Sequence, residues 1–198
     1  MEINKRIEEA RKVMKKYKVD AYIVTSSDYH QSEYIDDYFK GREYLSGFTG
    51  SAGVLVIFKD EACLWTDGRY HIQAENQLKA SEVKLFKQGN LGVPTYKEYI
   101  TSKLAENSKI GIDAKILLSS DVNEILSNKK YKIVDFDLLE EVWDKRKKLP
   151  DGKIFVLEDK YTGKTYKEKV KEIRAVLKEK GADYNIISSL DDIAWIYN

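Results

Sequence analysis

The sequence predicts an α/β protein with a mixed sheet, followed by the start of a second, related α/β unit. Three observations carry this reading. Stretches with helical period alternate with short β-branched runs. Two apolar runs, Val54–Phe58 and Ala62–Trp65, are separated only by Lys59-Asp60-Glu61, which suits a hairpin. The pattern that opens the chain also recurs after Pro150.

Ile3, Ile7, Ala10, Val13, Met14 and Tyr17 fall three or four residues apart among charged neighbours, which predicts a helix ending near Tyr17. Ala21–Thr25 suits a buried strand, and Ser26-Ser27-Asp28 signals a turn. Residues 29–46 are polar, aromatic and aperiodic, so a long surface loop is expected there. After the hairpin, Tyr70, Ile72, Ala74 and Leu78 begin a helix for which Asp67 or Thr66 is the expected N-cap. A strand follows at Val83–Phe86. Pro94 opens the next helix, Ile110–Ile112 is a strand, Ser119-Ser120-Asp121 precedes a helix and Tyr131–Val134 is a last strand. Cys63, between Ala62 and Leu64-Trp65, reads as a small buried side chain.

The charge run Asp144-Lys145-Arg146-Lys147-Lys148 before Leu149-Pro150-Asp151-Gly152 reads as a boundary between a domain at 1–148 and the start of another at 149–198. Arg6–Ser26 aligns without gaps on Lys169–Ser189, sharing Glu9/Glu172, Arg11/Arg174, Val13/Val176, Lys15/Lys178, Asp20/Asp183, Ile23/Ile186 and Ser26/Ser189. Any two Lys/Glu-rich amphipathic helices share surface charges. The matching strand and turn after the helix favour a second copy, with Thr162 or Thr165 as cap for a stripe of Val170, Ile173, Val176 and Leu177. Fewer than fifty residues follow Pro150, and the chain closes on Trp195-Ile196-Tyr197-Asn198 without a stop signal, so the second copy is expected to be truncated.

Composition narrows the function classes. With 34 Lys and Arg against 33 Asp and Glu, overall charge makes no case for nucleic acid or an anionic membrane. One cysteine excludes an internal disulfide and fits a reducing compartment. The N-terminus has no apolar signal region and no run spans a bilayer, so cytoplasmic residence is expected. The only histidines, His30 and His71, lack carboxylates in a metal-site pattern, and no metal or other cofactor is expected within these residues.

Gly47-x-x-Gly50-x-x-Gly53 has the wrong spacing for a dinucleotide fingerprint and precedes strands. These glycines fit positive φ or close backbone approach, or a loop facing a partner domain. Gly163-Lys164-Thr165 matches the tail of a P-loop, but Glu158 stands where that motif needs glycine. Asp67-Gly68-Arg69-Tyr70 admits two readings. Either Asp67 caps a helix and Arg69 lies in solvent, or Arg69 projects from the helix start to grip a carbonyl or carboxylate. His30 has no nucleophile or acid partner nearby and reads as a hydrogen-bonded loop residue beside the site; His71 reads as packing. Tyr29, Tyr34, Tyr38 and Tyr44 suit an aromatic binding surface or a rim packed on a neighbour.

Gly47-Phe48-Thr49-Gly50-Ser51-Ala52-Gly53 followed by Leu64-Trp65-Thr66-Asp67-Gly68-Arg69-Tyr70 resembles the N-terminal domain of Xaa-Pro aminopeptidases (aminopeptidase P) of the creatinase/prolidase group. The resemblance extends through His30-Gln31-Ser32-Glu33-Tyr34 and Asp191–Asn198, and so covers nearly the whole chain. It implies a non-catalytic region of a cytosolic metalloaminopeptidase that removes an N-terminal residue preceding proline. In such enzymes two Asp, one His and two Glu of a C-terminal domain bind two divalent ions, usually manganese, and none of those ligands maps onto this sequence. The resemblance makes Arg69 a peptide-binding residue, with Asp67 and His30 as site support. It implies as partners a peptide with proline second, the enzyme's own catalytic domain and a second subunit in a homodimer. The alternatives are a free-standing module that binds a peptide or small amide, and another hydrolase of the prolidase/creatinase group.

Overall fold

The computed structural model describes residues 3–198, and these divide into two compact units: residues 3–28 with Tyr34–Leu149, and Tyr29–Glu33 with Pro150–Asn198. In the first, α1 (Ile3–Tyr17) buries Ile7, Ala10, Val13 and Met14, the stripe its period predicts. It stops where Lys18 takes φ +56° and the Val19 N–H returns to the Met14 carbonyl at 3.0 Å, a Schellman-type end. There follow β1 (Ala21–Thr25), a 3₁₀ turn (Asp37–Phe39), α2 (Gly41–Ser46), β2 (Val54–Phe58), β3 (Ala62–Thr66), α3 (His71–Leu78) and β4 (Val83–Lys87). The unit closes with α4 (Tyr96–Lys103), β5 (Lys109–Ile112), α5 (Ser119–Asn128), β6 (Lys132–Asp135) and α6 (Leu139–Val142).

The six strands form one mixed sheet in the order β4-β3-β2-β1-β5-β6. β2 pairs antiparallel with β1 and β3, while the other neighbours are parallel, so β2 alone runs backwards. As a result the segments that leave β1 and β3 and the segment that enters β2 meet at one end of the sheet. Alternate residues point to opposite faces. Tyr22, Val24, Leu55, Ile57 and Leu64 pack with Ile7, Met14 and Leu45, whereas Ala21, Ile23, Val56, Phe58, Cys63 and Trp65 pack with Ile100 and Ile125. β3 is buried along its whole length, as expected of a strand covered on both sides. Trp65 stacks on Phe86 at 4.4 Å, and its indole N–H donates to the Pro94 carbonyl at 2.8 Å.

Several expectations need correction. Residues 29–46 are not simply a loop: they contain the 3₁₀ turn and α2, with Arg42, Leu45 and Ser46 buried. A six-residue helix is too short to show a period and is held by tertiary packing. The helix placed at Pro94 begins at Tyr96, because Thr95 is the N-cap: its hydroxyl accepts from Glu98 N at 3.2 Å and its own N–H donates to Glu98 Oε2 at 2.7 Å. Within the charge run, Arg146 is anchored, with Nη1 2.5 Å from Asp137, Nε donating to the Tyr38 carbonyl at 2.9 Å and its guanidinium over the Tyr38 ring.

The second unit contains α7 (Asp159–Thr162), α8 (Tyr166–Glu179) and α9 (Leu190–Tyr197). Thr165, not Thr162, caps α8 through a capping box with Glu168. The end of α8 reproduces the end of α1. Gly181 takes φ +63° and the Ala182 N–H returns to Leu177 at 2.9 Å, at positions aligned with Lys18, Val19 and Met14. The strand expected around Ile186 does not form, and Tyr184 and Ile186 are exposed. A strand exists only through its ladder, and among the described residues this unit offers no strand to pair with. Trp195 is 60 % exposed in α9.

Candidate functional site

The end of the sheet where the chain enters β2 and leaves β3 gathers the glycine-rich segment and Asp67–Tyr70. Gly47 closes α2 at φ +74°, a left-handed position that glycine adopts without a Cβ penalty. A Cβ on Gly53 would lie 2.8 Å from the Trp65 carbonyl, so backbone proximity fixes that residue as well. The structural reading of these glycines accounts for their chemistry without a phosphate.

Arg42 shapes the loop from beneath. It is 5 % exposed and has no carboxylate: Nη1 donates to the Phe48 carbonyl at 3.1 Å, Nη2 to the Gly50 carbonyl and Nε to Ser26 Oγ, and the guanidinium lies 4.7 Å from the Phe48 ring centre. Burial pushes its pKa down to about 10, still charged at neutral pH. Further bonds tie the loop to β3 and α3. Thr66 Oγ1 donates to the Ala52 carbonyl at 2.7 Å, Ser51 Oγ and Tyr70 OH lie 2.7 Å apart, and Gln73 and Gln77 donate to Thr49 Oγ1 at 2.9 and 2.8 Å. Phe48 meets Tyr70 edge to face at 6.0 Å.

On this base stands the pair that the motif singled out. Asp67 Oδ1 accepts from Arg69 N at 3.0 Å and from Arg69 Nε at 2.9 Å, and Oδ2 accepts from Nη2 at 2.8 Å. These bonds, first the side-chain one from Arg69, hold the Asp67 carboxyl below the usual aspartate range. The Arg69 side chain remains 69 % exposed and lies over the Tyr70 ring at 5.2 Å. Asp67 does not cap α3 as expected. The helix starts at His71, so the N-cap is Tyr70, which makes no side-chain cap bond, and Asp67 and Thr66 lie too far before it to cap. A guanidinium held by its own carboxylate and presented to solvent suits recognition of a carbonyl or carboxylate.

His30 belongs to the second unit, where its Nδ1 lies 2.8 Å from the Ser188 carbonyl. His71 Nε2 lies 3.2 Å from the Thr66 carbonyl. Within the first unit Tyr44 stacks on Trp143 at 4.4 Å, Tyr38 lies against Arg146 and Tyr34 is exposed; Tyr29 belongs to the second unit. Sequence reasoning missed Arg42, Ser51, Gln73 and Gln77. The available signals were that Ser51 lies within the glycine-rich motif and that Gln73 and Gln77 follow the Asp67–Tyr70 motif on one helix face.

Among the described residues no group of three or more His, Cys, Asp or Glu could hold a metal ion, so the two-metal centre implied by the resemblance does not fit these residues. Among them, too, no helix is long and apolar enough to cross a membrane.

The chain is 43 % identical to Xaa-Pro aminopeptidase 1 of Dictyostelium discoideum over 99 % of its length, covering 33 % of that protein. It is 43 % identical to aminopeptidase P2 of Arabidopsis thaliana over 91 %, covering 26 % of that protein. A crystal structure of X-prolyl aminopeptidase from Caenorhabditis elegans, described as a cytosolic enzyme with a di-nuclear active site, superposes with a TM-score of 0.88 at 31 % identity, covering 99 % of this chain and 34 % of that one. The chain spans about a third or less of the length of these relatives. A family model described as the creatinase/prolidase N-terminal domain matches residues 6–143, a second so described matches 145–198, and the chain belongs to that family.

Proposed function

We propose that this chain is the N-terminal, non-catalytic region of a cytoplasmic metal-dependent Xaa-Pro aminopeptidase, with a first domain at 1–148 and the start of a related second domain at 149–198. The observation that carries the reading is the solvent-facing guanidinium of Arg69, fixed by two hydrogen bonds to Asp67, which also accepts from the Arg69 backbone N–H. In this reading Arg69 grips the backbone of a peptide with proline second, Asp67 orients it, and Arg42 and Tyr70 hold the loop against which it stands. His30 supports the site. The hydrolytic centre, with two divalent ions that polarise the scissile carbonyl and supply hydroxide, belongs to a catalytic domain outside these residues. The first domain packs on that domain, in an enzyme that forms homodimers.

The test is Arg69→Ala in protein that carries the catalytic domain. A charge-assisted hydrogen bond contributes about 1.5 to 3 kcal/mol, so kcat/KM on Xaa-Pro peptides should fall about ten- to a hundredfold while metal content and Tm stay near wild type. Arg69→Lys should recover little, because lysine lacks the planar fork. Full kcat/KM in Arg69→Ala on peptides of several lengths would return Arg69 to an ordinary surface arginine.

A further inference from the structure

Arg69 carries its counter-ion on a two-residue tether. Asp67 Oδ1 accepts from Arg69 Nε at 2.9 Å and Oδ2 from Nη2 at 2.8 Å, so the carboxylate covers one edge of the fork while the side chain stays 69 % exposed. The Arg69 backbone N–H also donates to Oδ1 at 3.0 Å, which ties the carboxylate to the turn as well as to the side chain. A guanidinium has five N–H groups, and Asp67 takes two of them. The acidic and basic side chains of α3 and β4 are matched too: Glu75 pairs with Lys87 at 2.5 Å, and Lys84 with Glu61 at 2.6 Å. Gly68 lies between Asp67 and Arg69. A Cβ there would meet nothing within 4 Å and its φ is not positive, so neither packing nor backbone demands glycine, and its missing side chain leaves the approach to the pair bare.

Two acceptors on a peptide meet this pair differently. A carboxylate offers what Asp67 already supplies and must displace it, and a partner tethered this closely acts at an effective concentration of about millimolar or more, against substrate at roughly 1 μM to 1 mM. A neutral carbonyl displaces nothing, since it takes a single N–H on the exposed side of the fork. It also brings no charge toward Asp67, whereas a carboxylate meets like-charge repulsion there. We propose that Asp67 is a positioning residue that sets the specificity of this site: by neutralising Arg69 in advance, it directs the guanidinium to the backbone carbonyls of a peptide and against a terminal carboxylate. This rests on the contact of Arg69 with the peptide proposed above, and adds which acceptor that contact takes.

The test uses protein that carries the catalytic domain, with matched pairs of Xaa-Pro and Xaa-Pro-Xaa peptides that end either in a free carboxylate or in a methylamide. The readout is the ratio of kcat/KM on the methylamide to kcat/KM on the free acid. Asp67→Asn keeps an acceptor for the Arg69 backbone N–H and removes the charge, so it should lower that ratio about tenfold for at least one peptide length, through better use of the free acid. Asp67→Glu restores the charge and should hold the ratio nearer wild type than Asp67→Asn does. A merely structural role would lower kcat/KM on both members of a pair alike. Should Asp67→Asn lose stability, Asp67→Ser, also neutral and with a short acceptor, gives the same readout. Loss on both members of a pair in Arg69→Ala, together with wild-type ratios in the neutral Asp67 variants, overturns this inference alone. Full kcat/KM in Arg69→Ala on every peptide overturns the substrate contact and this inference with it.

Discussion

Glu61 is 7 % exposed and yet ionised, because three donors converge on it: Lys103 and Lys84 at 2.6 Å and Tyr99 OH at 2.8 Å. Burial by itself would raise its pKa, but the hydrogen bonds from Lys103, Lys84 and Tyr99 outweigh that and bring it down to about 2. A carboxyl whose pKa falls on folding stabilises the native state above its unfolded value, and this contribution is lost as pH drops from about 4.5 toward 2. Glu61→Gln should therefore lower stability at pH 7 by about 1 to 3 kcal/mol, and the difference in Tm between variant and wild type should shrink progressively below about pH 4.5. A difference constant from pH 7 to pH 3 would mean that packing, not charge, sets the effect. Glu61 and Arg42 were both illegible in the sequence: Glu61 is buried by partners far along the chain, and Arg42 by backbone carbonyls and a serine hydroxyl that no residue pattern marks as acceptors. Asp67 and Arg69 could be singled out because both sit within one motif; what the motif could not reveal was that they bind each other.

Among elements, α1 and α8 use the same devices at aligned positions. Besides the matching C-terminal turns, each holds a cation early in the helix against an aromatic residue of a later helix. Arg6 donates to the Tyr44 carbonyl at 2.6 Å and lies over its ring at 4.4 Å; Lys169, aligned with Arg6, donates to the Trp195 carbonyl at 2.6 Å and lies over its ring at 4.6 Å. The helix part of the repeat was legible because its determinants are local. The strand part was not, because Ala21–Thr25 pairs with β2 and β5 whereas Tyr184–Ile187 has no partner strand among the described residues. The helix α8, little supported by burial, should depend heavily on its cap. Thr165→Ala removes the hydroxyl arm of the capping box and should cost about 1 kcal/mol, seen as faster amide exchange at residues 166–169 with exchange in the sheet unchanged. Equal exchange in both proteins would show that other contacts hold the first turn.

At the scale of the whole molecule, the first unit closes its core on both faces of a sheet, and the second leaves apolar side chains in water, with Ile154 99 % and Ile186 92 % exposed. Alternating helix and strand signals made the first architecture legible, since each element there finds the partner its pattern calls for. In the run from Asp144 to Lys148 the sequence shows only charge, and the inward course of Arg146 was not legible. Brief trypsin treatment should cut after Lys148 or Lys153 before it cuts after Arg146, whose side chain is held by Asp137 and the Tyr38 carbonyl. First cleavage inside α1 or the β2–β3 hairpin would contradict this order of stability. The placement of tryptophan has an optical consequence. With Trp143 replaced by phenylalanine, emission divides between Trp65, fully buried and shielded, and Trp195, largely solvent-exposed. Iodide should quench only the red-shifted component, so its loss of amplitude during denaturant titration follows the second unit while the blue-shifted component follows the first, and one cuvette reads the two transitions separately.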